Sequence, residues 1–195
     1  VYAVQDLITS ELGADIRAWK TSPLDNRSAF AGPIYATDIF QSGARIPASK
    51  FHVIGIEGEI AFRINRDLPA KDQPYTRDDI QASIAEMIPL IELVDTRMVD
   101  GMEQDATFKM ADNQSNYGIV IGAASSKNWN DVNATKTEVH LTVNGQSLFS
   151  GTSSSPIADM FDLMAGTANS CAKYDRPVRA GDIITTGSCT GIAFI

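Results

Sequence analysis

The sequence predicts an α+β fold that is rich in strands, with few helices. Five short apolar segments have the length and boundaries of strands; they cover residues 16–20, 54–64, 90–94, 117–121 and 183–187. Asn144-Gly145, between two further strand-like runs, is typical of a two-residue type I′ turn and predicts a hairpin over 139–149. Helical spacing of apolar residues is confined to 1–14, 80–87 and 157–172.

The first helix and the first strand are followed by one long predicted connection. The first helix should end at Gly13, because glycine readily adopts the left-handed conformation that terminates helices. The first strand is followed by residues 21–48, where five glycines and prolines predict loops with short extended pieces: Pro23, Gly32, Pro33, Gly43 and Pro47. Structured connections of this length are often functional.

A short helix is predicted to follow the strand at 54–64. Thr76 and Asp79 have the spacing of a capping box, with Asp in place of the usual Glu. From there the helix would run through Ile84 and Met87 and end at Pro89, which cannot continue a helix.

Composition indicates one soluble globular domain. The 195 residues are enough for a core that needs no staples, and 44% hydrophobic and 21% charged residues are ordinary values. A net charge of −8 without a dense basic run argues against nucleic acid and anionic membranes as partners, and no apolar stretch could span a bilayer. Cys171 and Cys189 lack disulfide-framework or zinc spacing and predict reduced thiols in a cytoplasmic protein.

Glu57 and Glu59 are the most informative residues of the chain. They lie one residue apart within an apolar strand, so they should project from the same face while the isoleucines beside them fill the other. Buried carboxylates this close need a proton or a cation, and oxygen ligands favour hard ions such as Mg²⁺, Mn²⁺ or Ca²⁺. The alternative is an edge strand whose polar face is solvated.

Other polar residues also stand in apolar surroundings. Glu92 lies within the segment 90–94 and requires a partner, either a metal or a cation in an ion pair. Asp95 and Arg97 could pair with each other. Lys20 ends the first strand, where most lysines are merely solvated. The polar run 109–115 has the composition of a side-chain-capped turn.

Together these segments resemble the fumarylacetoacetate hydrolase superfamily, and most closely its 2-keto-4-pentenoate hydratase and 4-oxalocrotonate decarboxylase branch. The resemblance spans nearly the whole chain and rests on seven segments: Tyr2-Ala-Val-Gln5, Trp19-Lys-Thr-Ser22, Glu57-Gly-Glu-Ile-Ala-Phe62, Asp67-Leu-Pro69, Ile91-Glu-Leu-Val-Asp-Thr-Arg97, Ala111-Asp-Asn-Gln-Ser115 and Thr186-Gly-Ser188. Each segment is weak alone, and their combination is specific.

The resemblance implies a mixed β-roll, barrel-like, around one divalent ion, Mg²⁺ or Mn²⁺, held by Glu57, Glu59 and Glu92. A 2-oxo acid substrate would chelate the ion through its carboxylate and keto oxygens, and the ion would stabilise the enolate.

The same resemblance assigns site roles to six further residues and a supporting role to Asp95. Lys20 would bind or protonate the dienolate, and Asp38 falls where hydratases carry an acidic general base. Ser115 and Asn113 would hydrogen-bond the substrate or water on the metal. Thr186 and Ser188 would reach the substrate carboxylate, and Asp95 would orient a ligand or pair with Arg97.

Two departures from the family are expected to matter. Members usually run longer at both ends, so residues 1–195 are predicted to be one catalytic-type domain that lacks terminal segments, which could open the barrel. The hydrolase branch uses a Glu–His pair, whereas His52 should lie on the opposite face of the Glu57 strand and His140 in the hairpin, which disfavours hydrolysis.

The resemblance therefore implies a metal-dependent lyase acting on 2-oxo acids. Hydration of a 2-hydroxydienoate in the catabolism of aromatic compounds is the first choice, followed by decarboxylation of an oxalocrotonate-type acid and by acylpyruvate hydrolysis. An inactive ligand-binding scaffold is the non-enzymatic alternative. Homo-oligomers are common in this family, so one is expected here.

Overall fold

The computed structural model describes residues 1–24 and 28–195, which contain four α-helices and ten strands. The helices are α1 (Tyr2–Leu12), α2 (Arg77–Gln81), α3 (Ala106–Ala111) and α4 (Met160–Lys173). The strands are β1 (Ile16–Pro23), β2 (Ala29–Tyr35), β3 (Ile39–Gln41), β4 (Gly55–Ile64), β5 (Ile84–Val94), β6 (Asn116–Ile121), β7 (Glu138–Val143), β8 (Gln146–Thr152), β9 (Ile183–Ser188) and β10 (Ala193–Phe194).

The principal sheet is mixed and strongly curled. Its order is β2-β1-β9-β4-β5-β6-β3, with β10 paired to the start of β4. The pairs β1/β9 and β3/β6 are parallel and the other pairs are antiparallel. Near the two ends of this order, β2 contacts β6, but no ladder in the described residues joins β2 to β3. The predicted α+β fold with a mixed, rolled sheet is confirmed, and the roll is open.

Two faces of the sheet have different neighbours. The inner face is lined by residues from strands across the whole roll, among them Ala18, Ile34, Ala61, Ile88 and Ile119, which form one cluster. The outer face packs against α4 in a second cluster that includes Trp19, Phe62, Ile184 and Met164. Since side chains alternate along a strand, consecutive residues of β1, β4 and β9 serve different clusters.

The helix predicted over 80–87 is wrong in its second half. The capping box of Thr76 and Asp79 is present, but α2 ends at Gln81 and β5 begins at Ile84. Pro89 lies within β5, not at a helix end. The Pro89 carbonyl accepts from Gly122 N–H at 2.9 Å, and Gly122 directly follows the last residue of β6. The N–H and C=O of a strand residue point to the same side, so the N–H that proline lacks would also face this position, where β6 has ended. The proline therefore removes no hydrogen bond from the β5–β6 ladder.

Other elements agree more closely with expectation. Gly13 has φ 55° and ends α1, and Asn144 and Gly145, with φ 51° and 79°, form the turn of the β7–β8 hairpin. The extended pieces predicted within 21–48 are β2 and β3, and residues 25–27 of this stretch lie outside the described residues. Within the described chain, no helix is sufficiently long and apolar to cross a membrane.

Candidate metal centre

The glutamates of β4 lie on the inner face of the sheet. β4 is flanked by β9 and β5, so the alternative of a solvated edge strand is wrong. Glu57 stands directly opposite Glu92 of β5, and Glu59 lies two residues along on the same face. The antiparallel register therefore gathers three carboxylates that are far apart in sequence.

These three carboxylates could hold a metal ion. One oxygen from each of Glu57, Glu59 and Glu92 lies within 4.8 Å of the others, and the residues are 7%, 4% and 0% exposed. Glu59 Oε1 is buried without a hydrogen-bond partner among the described residues. Three oxygen donors at this separation, one of them unsatisfied, fit a hard divalent cation with positions left for other ligands.

Lys20 is the cation nearest to this cluster in the described part of the chain. Its Nζ donates to Glu92 Oε2 and lies 3.7 Å from Glu57 Oε2 and 3.9 Å from Glu59 Oε1. Burial alone would lower the pKa of Lys20, but the three carboxylates outweigh burial and raise it above its ordinary value. The ammonium is therefore charged, and it leaves the ionised cluster with two uncompensated negative charges.

The carboxylates differ in how well they tolerate ionisation. Burial raises the pKa of Glu59 well above its ordinary value, and it raises that of Glu57, despite the attraction of Lys20. Burial acts on Glu92 too, but Lys20 and hydrogen bonds outweigh it and lower the pKa of that carboxyl. Glu92 thus carries charge most readily, and a cation is needed to hold all three as carboxylates.

A bulge in β9 brings backbone and hydroxyl groups to the same cluster. Glu59 pairs with Ser188 and Ala61 with Thr185, so two residues of β9 oppose one of β4. Gly187, with φ 89°, donates its N–H to Glu59 Oε2 at 3.1 Å. Gly187 lies within the Thr186–Ser188 segment, but the sequence analysis assigned it no role, because a bulge depends on pairing between distant strands.

The two predicted residues of this strand are placed differently. Burial raises the pKa of Glu57, and a hydrogen bond with Ser188 is among the smaller influences that oppose this rise, so Ser188 belongs to the cluster. The Thr186 hydroxyl donates to the Ile60 carbonyl at 2.7 Å, and its contacts in the described residues are with the strand backbone. A role for either residue toward substrate stays a prediction.

Asn116 was missed by the sequence analysis. It opens β6, is 5% exposed, and donates from Nδ2 to Glu92 Oε1 at 2.8 Å. The available signal was its position one residue after the Ala111–Ser115 segment, at the start of an apolar strand. An amide donor at this place fixes the orientation of the Glu92 carboxylate.

The preceding residues form an unusual left-handed turn. Asn113, Gln114 and Ser115 have φ of 52°, 52° and 60°, values that residues with a side chain rarely adopt. The turn is fastened at Asn113, whose Nδ2 donates to the Pro33 carbonyl at 3.0 Å, and at Ser115, whose carbonyl accepts from Asp95 N–H at 2.8 Å. Backbone strain of this kind is concentrated at functional sites.

A cavity of about 300 Å³ adjoins this turn. Asp38 and Asn113, both predicted site residues, line it, and so does Asn116, which connects its wall to Glu92. Asn113 Oδ1 is buried without a hydrogen-bond partner in the described residues. Burial raises the pKa of Asp38 against smaller opposing effects of Thr37, Arg97 and Lys50.

The expected pairing of Asp95 with Arg97 is wrong. Asp95 accepts from the backbone N–H groups of His52 and Val53, whereas Arg97 pairs with Asp112. His52 also lies before β4 and not on it, with its side chain 75% exposed. Asp95 is therefore a loop-fastening residue at the entry to β4.

Two curated relatives show what the chain is similar to. Over 159 residues it is 28% identical to a 2-keto-4-pentenoate hydratase of Burkholderia vietnamiensis, covering 80% of this chain and 58% of that enzyme. Over 134 residues it is 31% identical to a 2-hydroxyhexa-2,4-dienoate hydratase of Comamonas testosteroni, covering 68% and 48%. The chain thus spans about half the length of these relatives.

Solved structures share the fold. A 4-oxalocrotonate decarboxylase from Pseudomonas putida, complexed with magnesium and adipate, superposes with a TM-score of 0.79 at 21% identity, covering 97% of this chain and 74% of that one. A fumarylpyruvate hydrolase from Pseudomonas aeruginosa, in complex with Mn²⁺ and pyruvate, gives 0.56 at 12% identity, covering 92% and 80%. At these identities the likeness establishes the fold alone.

The family assignment rests on a match that covers most of the chain. The family model of the fumarylacetoacetate (FAA) hydrolase C-terminal region matches residues 10–193, which include all nine predicted site residues. The chain belongs to the fumarylacetoacetate hydrolase C-terminal family.

Proposed function

We propose that this chain is the catalytic part of a divalent-metal-dependent lyase acting on 2-oxo acids, with hydration of a 2-hydroxydienoate as its reaction. The observation that carries the proposal is the buried cluster of Glu57, Glu59 and Glu92 around the Lys20 ammonium. The names of the relatives, 2-keto-4-pentenoate hydratase and 2-hydroxyhexa-2,4-dienoate hydratase, support the choice of reaction.

The three glutamates would hold Mg²⁺ or Mn²⁺. Their donors are all carboxylate oxygens, which suit both ions, and the unpartnered Glu59 Oε1 gives a second reason for a cation there. Neighbours of the same fold were solved with magnesium, calcium or Mn²⁺. When bound, such an ion acts as a Lewis acid toward the keto and carboxylate oxygens of a 2-oxo acid.

Lys20 and Asp38 would move the protons. The Lys20 ammonium could donate a proton to a carbon of the dienolate or a hydrogen bond to its oxygen, and its charge would favour the anionic form. Asp38 lines the adjoining cavity, and its raised pKa makes it a better base for the water that adds to the diene.

Four polar residues would position substrate. Ser115 and Asn113 come from the left-handed turn, and the unpartnered Asn113 Oδ1 could accept from a substrate hydroxyl or from water. A buried acceptor without a partner costs roughly 1–3 kcal/mol, so such a donor would be favoured. Ser188 and Thr186 of β9 would bind the substrate carboxylate, with Ser188 already at the cluster.

The histidines give hydrolysis little support. The His52 side chain is largely exposed and lies 3.5 Å from Asp95, and His140 Nδ1 lies 2.9 Å from the Ser150 hydroxyl within the hairpin. Neither ring contacts the three glutamates in the described residues. A lyase reaction, which needs no His-activated water, therefore fits this chain better than acylpyruvate hydrolysis.

A melting experiment with Mg²⁺ and oxalate tests the site. Oxalate mimics the chelating end of a 2-oxo acid, so Mg²⁺ and oxalate together should raise the melting temperature more than Mg²⁺ alone. Saturation at a hundredfold excess over Kd corresponds to about 2.7 kcal/mol. Glu59→Gln should abolish the shift, whereas Glu11→Gln, an exposed glutamate of α1, should leave it intact.

A spectrophotometric screen tests the reaction. Turnover of 2-hydroxydienoates, lost in Lys20→Met and Asp38→Asn variants that still melt cooperatively, is the expected result. Turnover of oxalocrotonate alone, or of acylpyruvates alone, would replace the hydratase by a decarboxylase or a hydrolase. Oxalate binding without any turnover would identify a ligand-binding scaffold.

A further inference from the structure

The left-handed turn over Asn113–Ser115 is held at both of its ends by the guanidinium of Arg97. Arg97 Nε donates to Asp112 Oδ1, and its Nη2 donates to the Asp112 carbonyl, directly before the turn. Its Nη1 donates to the Asn116 carbonyl at 2.6 Å, directly after the turn. One planar side chain thus spans the turn from Asp112 to Asn116, and we call these three residues the Arg97 clasp.

Asp112 is a fixed anchor for this clasp. Its side chain is 9% exposed, and its Oδ2 accepts from the Thr96 hydroxyl at 3.0 Å and from Arg97 N–H at 3.2 Å. Its carbonyl also accepts from Ser115 N–H at 2.9 Å, inside the turn. The Arg97 side chain is 44% exposed, and an isolated ion pair at a surface usually contributes little. Here the additional hydrogen bonds hold both partners, so the clasp has one defined geometry.

The clasp ends where β6 carries one extra residue. Leu93 of β5 pairs with Gly118, whereas the next residue of β5, Val94, pairs with Asn116. Tyr117 is therefore the additional residue of a bulge. A bulge shifts the alternation of side chains by one position, so it changes which face of the sheet the residue before it occupies.

This bulge brings Asn116 to the face of the sheet that carries the glutamates. Ile119 pairs with Glu92 and lies on the inner face, and regular alternation would put Asn116 on the outer one. With the bulge, Asn116 stands opposite Val94, which shares the inner face with Glu92. The Asn116 Nδ2 donates to Glu92 Oε1 at 2.8 Å from this position. The hydrogen bond to Glu92 therefore depends on the bulge, and the Arg97 clasp holds the backbone at its edge.

We propose that Arg97 is a positioning residue of the candidate metal centre, because its clasp keeps the turn and the bulge in the geometry in which Asn116 orients the Glu92 carboxylate. The inference rests on the proposed function, since it requires that Glu92 binds the metal ion. In the part of the chain that the structure describes, Arg97 makes no hydrogen bond or ion pair with the three glutamates, so it acts through Asn116.

A double-mutant cycle tests this route by calorimetric titration with Mg²⁺ of the wild type, Arg97→Ala, Asn116→Ala and the double variant. Each single substitution should weaken Mg²⁺ binding roughly tenfold. Because Arg97 acts through Asn116, the double variant should also lose about tenfold, whereas independent effects would multiply to about a hundredfold. A loss near a hundredfold, or an unchanged affinity in either single variant, would overturn the inference and leave the proposed function standing. Absence of Mg²⁺ binding by the wild type would overturn both.

Arg77 provides a matched control for the loss of a partly exposed arginine. Its Nε donates to Asp159 Oδ2 at 2.8 Å, and its side chain is 42% exposed, compared with 44% for Arg97. Arg77→Ala should leave the Mg²⁺ affinity unchanged, and melting curves of the metal-free variants establish that each is folded at the temperature of the titration. Equal losses of affinity in Arg77→Ala and Arg97→Ala would refute a role specific to the clasp.

Arg97→Lys separates the shape of the guanidinium from its charge. A lysine keeps the positive charge, but its ammonium lacks the planar fork that reaches Asp112 and Asn116 together. The variant should therefore lose Mg²⁺ affinity about as much as Arg97→Ala does. Wild-type affinity in Arg97→Lys would show that only a nearby positive charge matters, and it would overturn the positioning role.

Discussion

The two faces of the sheet are built from consecutive residues of the same strands, yet they do opposite things to stability. Trp19 and Phe62 point outward and pack against α4, with Phe62 and Phe161 ring centroids 5.6 Å apart. Lys20 and Glu59 point inward and bury charge. The outer face contributes hydrophobic stabilisation, and the inner face consumes part of it by desolvating carboxylates. A chain can therefore carry a costly site wherever the alternate residues of its strands pack well.

Truncation on the outer face should give the largest loss of stability. Phe62 is fully buried, so Phe62→Ala should lower the free energy of unfolding by about 3–5 kcal/mol. Urea denaturation measures this value. Phe108→Ala, at a phenylalanine that is 54% exposed, is the control and should change it by no more than about 0.5 kcal/mol. A small effect at Phe62 would show that the outer face is not the main source of stability.

Removal of the inner cation should come next, and it should be reversible by metal. Lys20→Met leaves three buried carboxylates without a counter-charge, and losing one partner of a buried ion pair costs roughly 3–5 kcal/mol. Urea titrations at about pH 8, with and without Mg²⁺, should show this loss in the metal-free protein and a larger gain from Mg²⁺ than in the wild type. An equal gain in stability from Mg²⁺ in both proteins would mean that Lys20 and the ion do not neutralise the same carboxylates.

Neutralising a carboxylate of the inner face should raise the free energy of unfolding of the metal-free protein, whereas removing Lys20 should lower it. Burial raises the folded-state pKa of Glu59 above its ordinary 4.5, so the metal-free folded state binds this proton more tightly than the unfolded chain. That stability is present at low pH and is lost as pH rises through the raised pKa. In the absence of metal, Glu59→Gln should therefore gain on the wild type by on the order of 1 kcal/mol between about pH 5 and about pH 8.

The control is to measure the stability of the wild type and of Glu59→Gln again in the presence of Mg²⁺. The wild type should then be the more stable, because only its three carboxylates bind the ion fully. A wild type that is more stable than Glu59→Gln at pH 8 without metal would contradict the assigned direction.

The last effect is expected in metal affinity, at the amide that orients Glu92. Asn116→Ala removes the donor to Glu92 Oε1 and should weaken Mg²⁺ binding roughly tenfold, as outer-shell partners of metal ligands commonly do. Calorimetry with Mg²⁺ measures the affinity, and Asn130→Ala, at an exposed asparagine, is the matched control. Unchanged affinity would indicate that the Asn116 contact only fastens β6 to β5.

The alternation of residues within one strand was sufficient to predict which side chains share a face of the sheet. It was not sufficient to predict which strands lie side by side or in what register. Alternation placed Glu57 and Glu59 together, because that depends on β4 alone. The position of Glu92 opposite Glu57 depends on the register between β4 and β5, and the contact with Lys20 on the path through β9. Those relations are not encoded in any short segment, so the residues alone left a metal and an ion pair open, and family resemblance was needed to choose.

The helix error has a similar cause. Ile80, Ile84 and Met87 have helical spacing, but Ile84 and Met87 belong to a strand in which Met87 and Ile88 are both buried, on opposite faces. A strand covered on both sides has no clean two-residue period, so helical spacing can arise within it by chance. Asn116 was overlooked for a different reason, since an asparagine before a strand is usually a turn residue.

Because of the bulge at Gly187, the candidate metal centre depends on how many residues β9 contains and not only on which residues they are. Removing Gly187 would restore simple alternation in β9 with Ser188 still opposite Glu59, but it would take away the N–H that Gly187 donates to Glu59 Oε2, while β1, β4 and their packing on α4 would remain as they are. A one-residue deletion at this point would thus separate folding from function more cleanly than most substitutions. Over evolutionary time, single-residue insertions and deletions in β9 should be excluded from active members more strictly than changes of side chain.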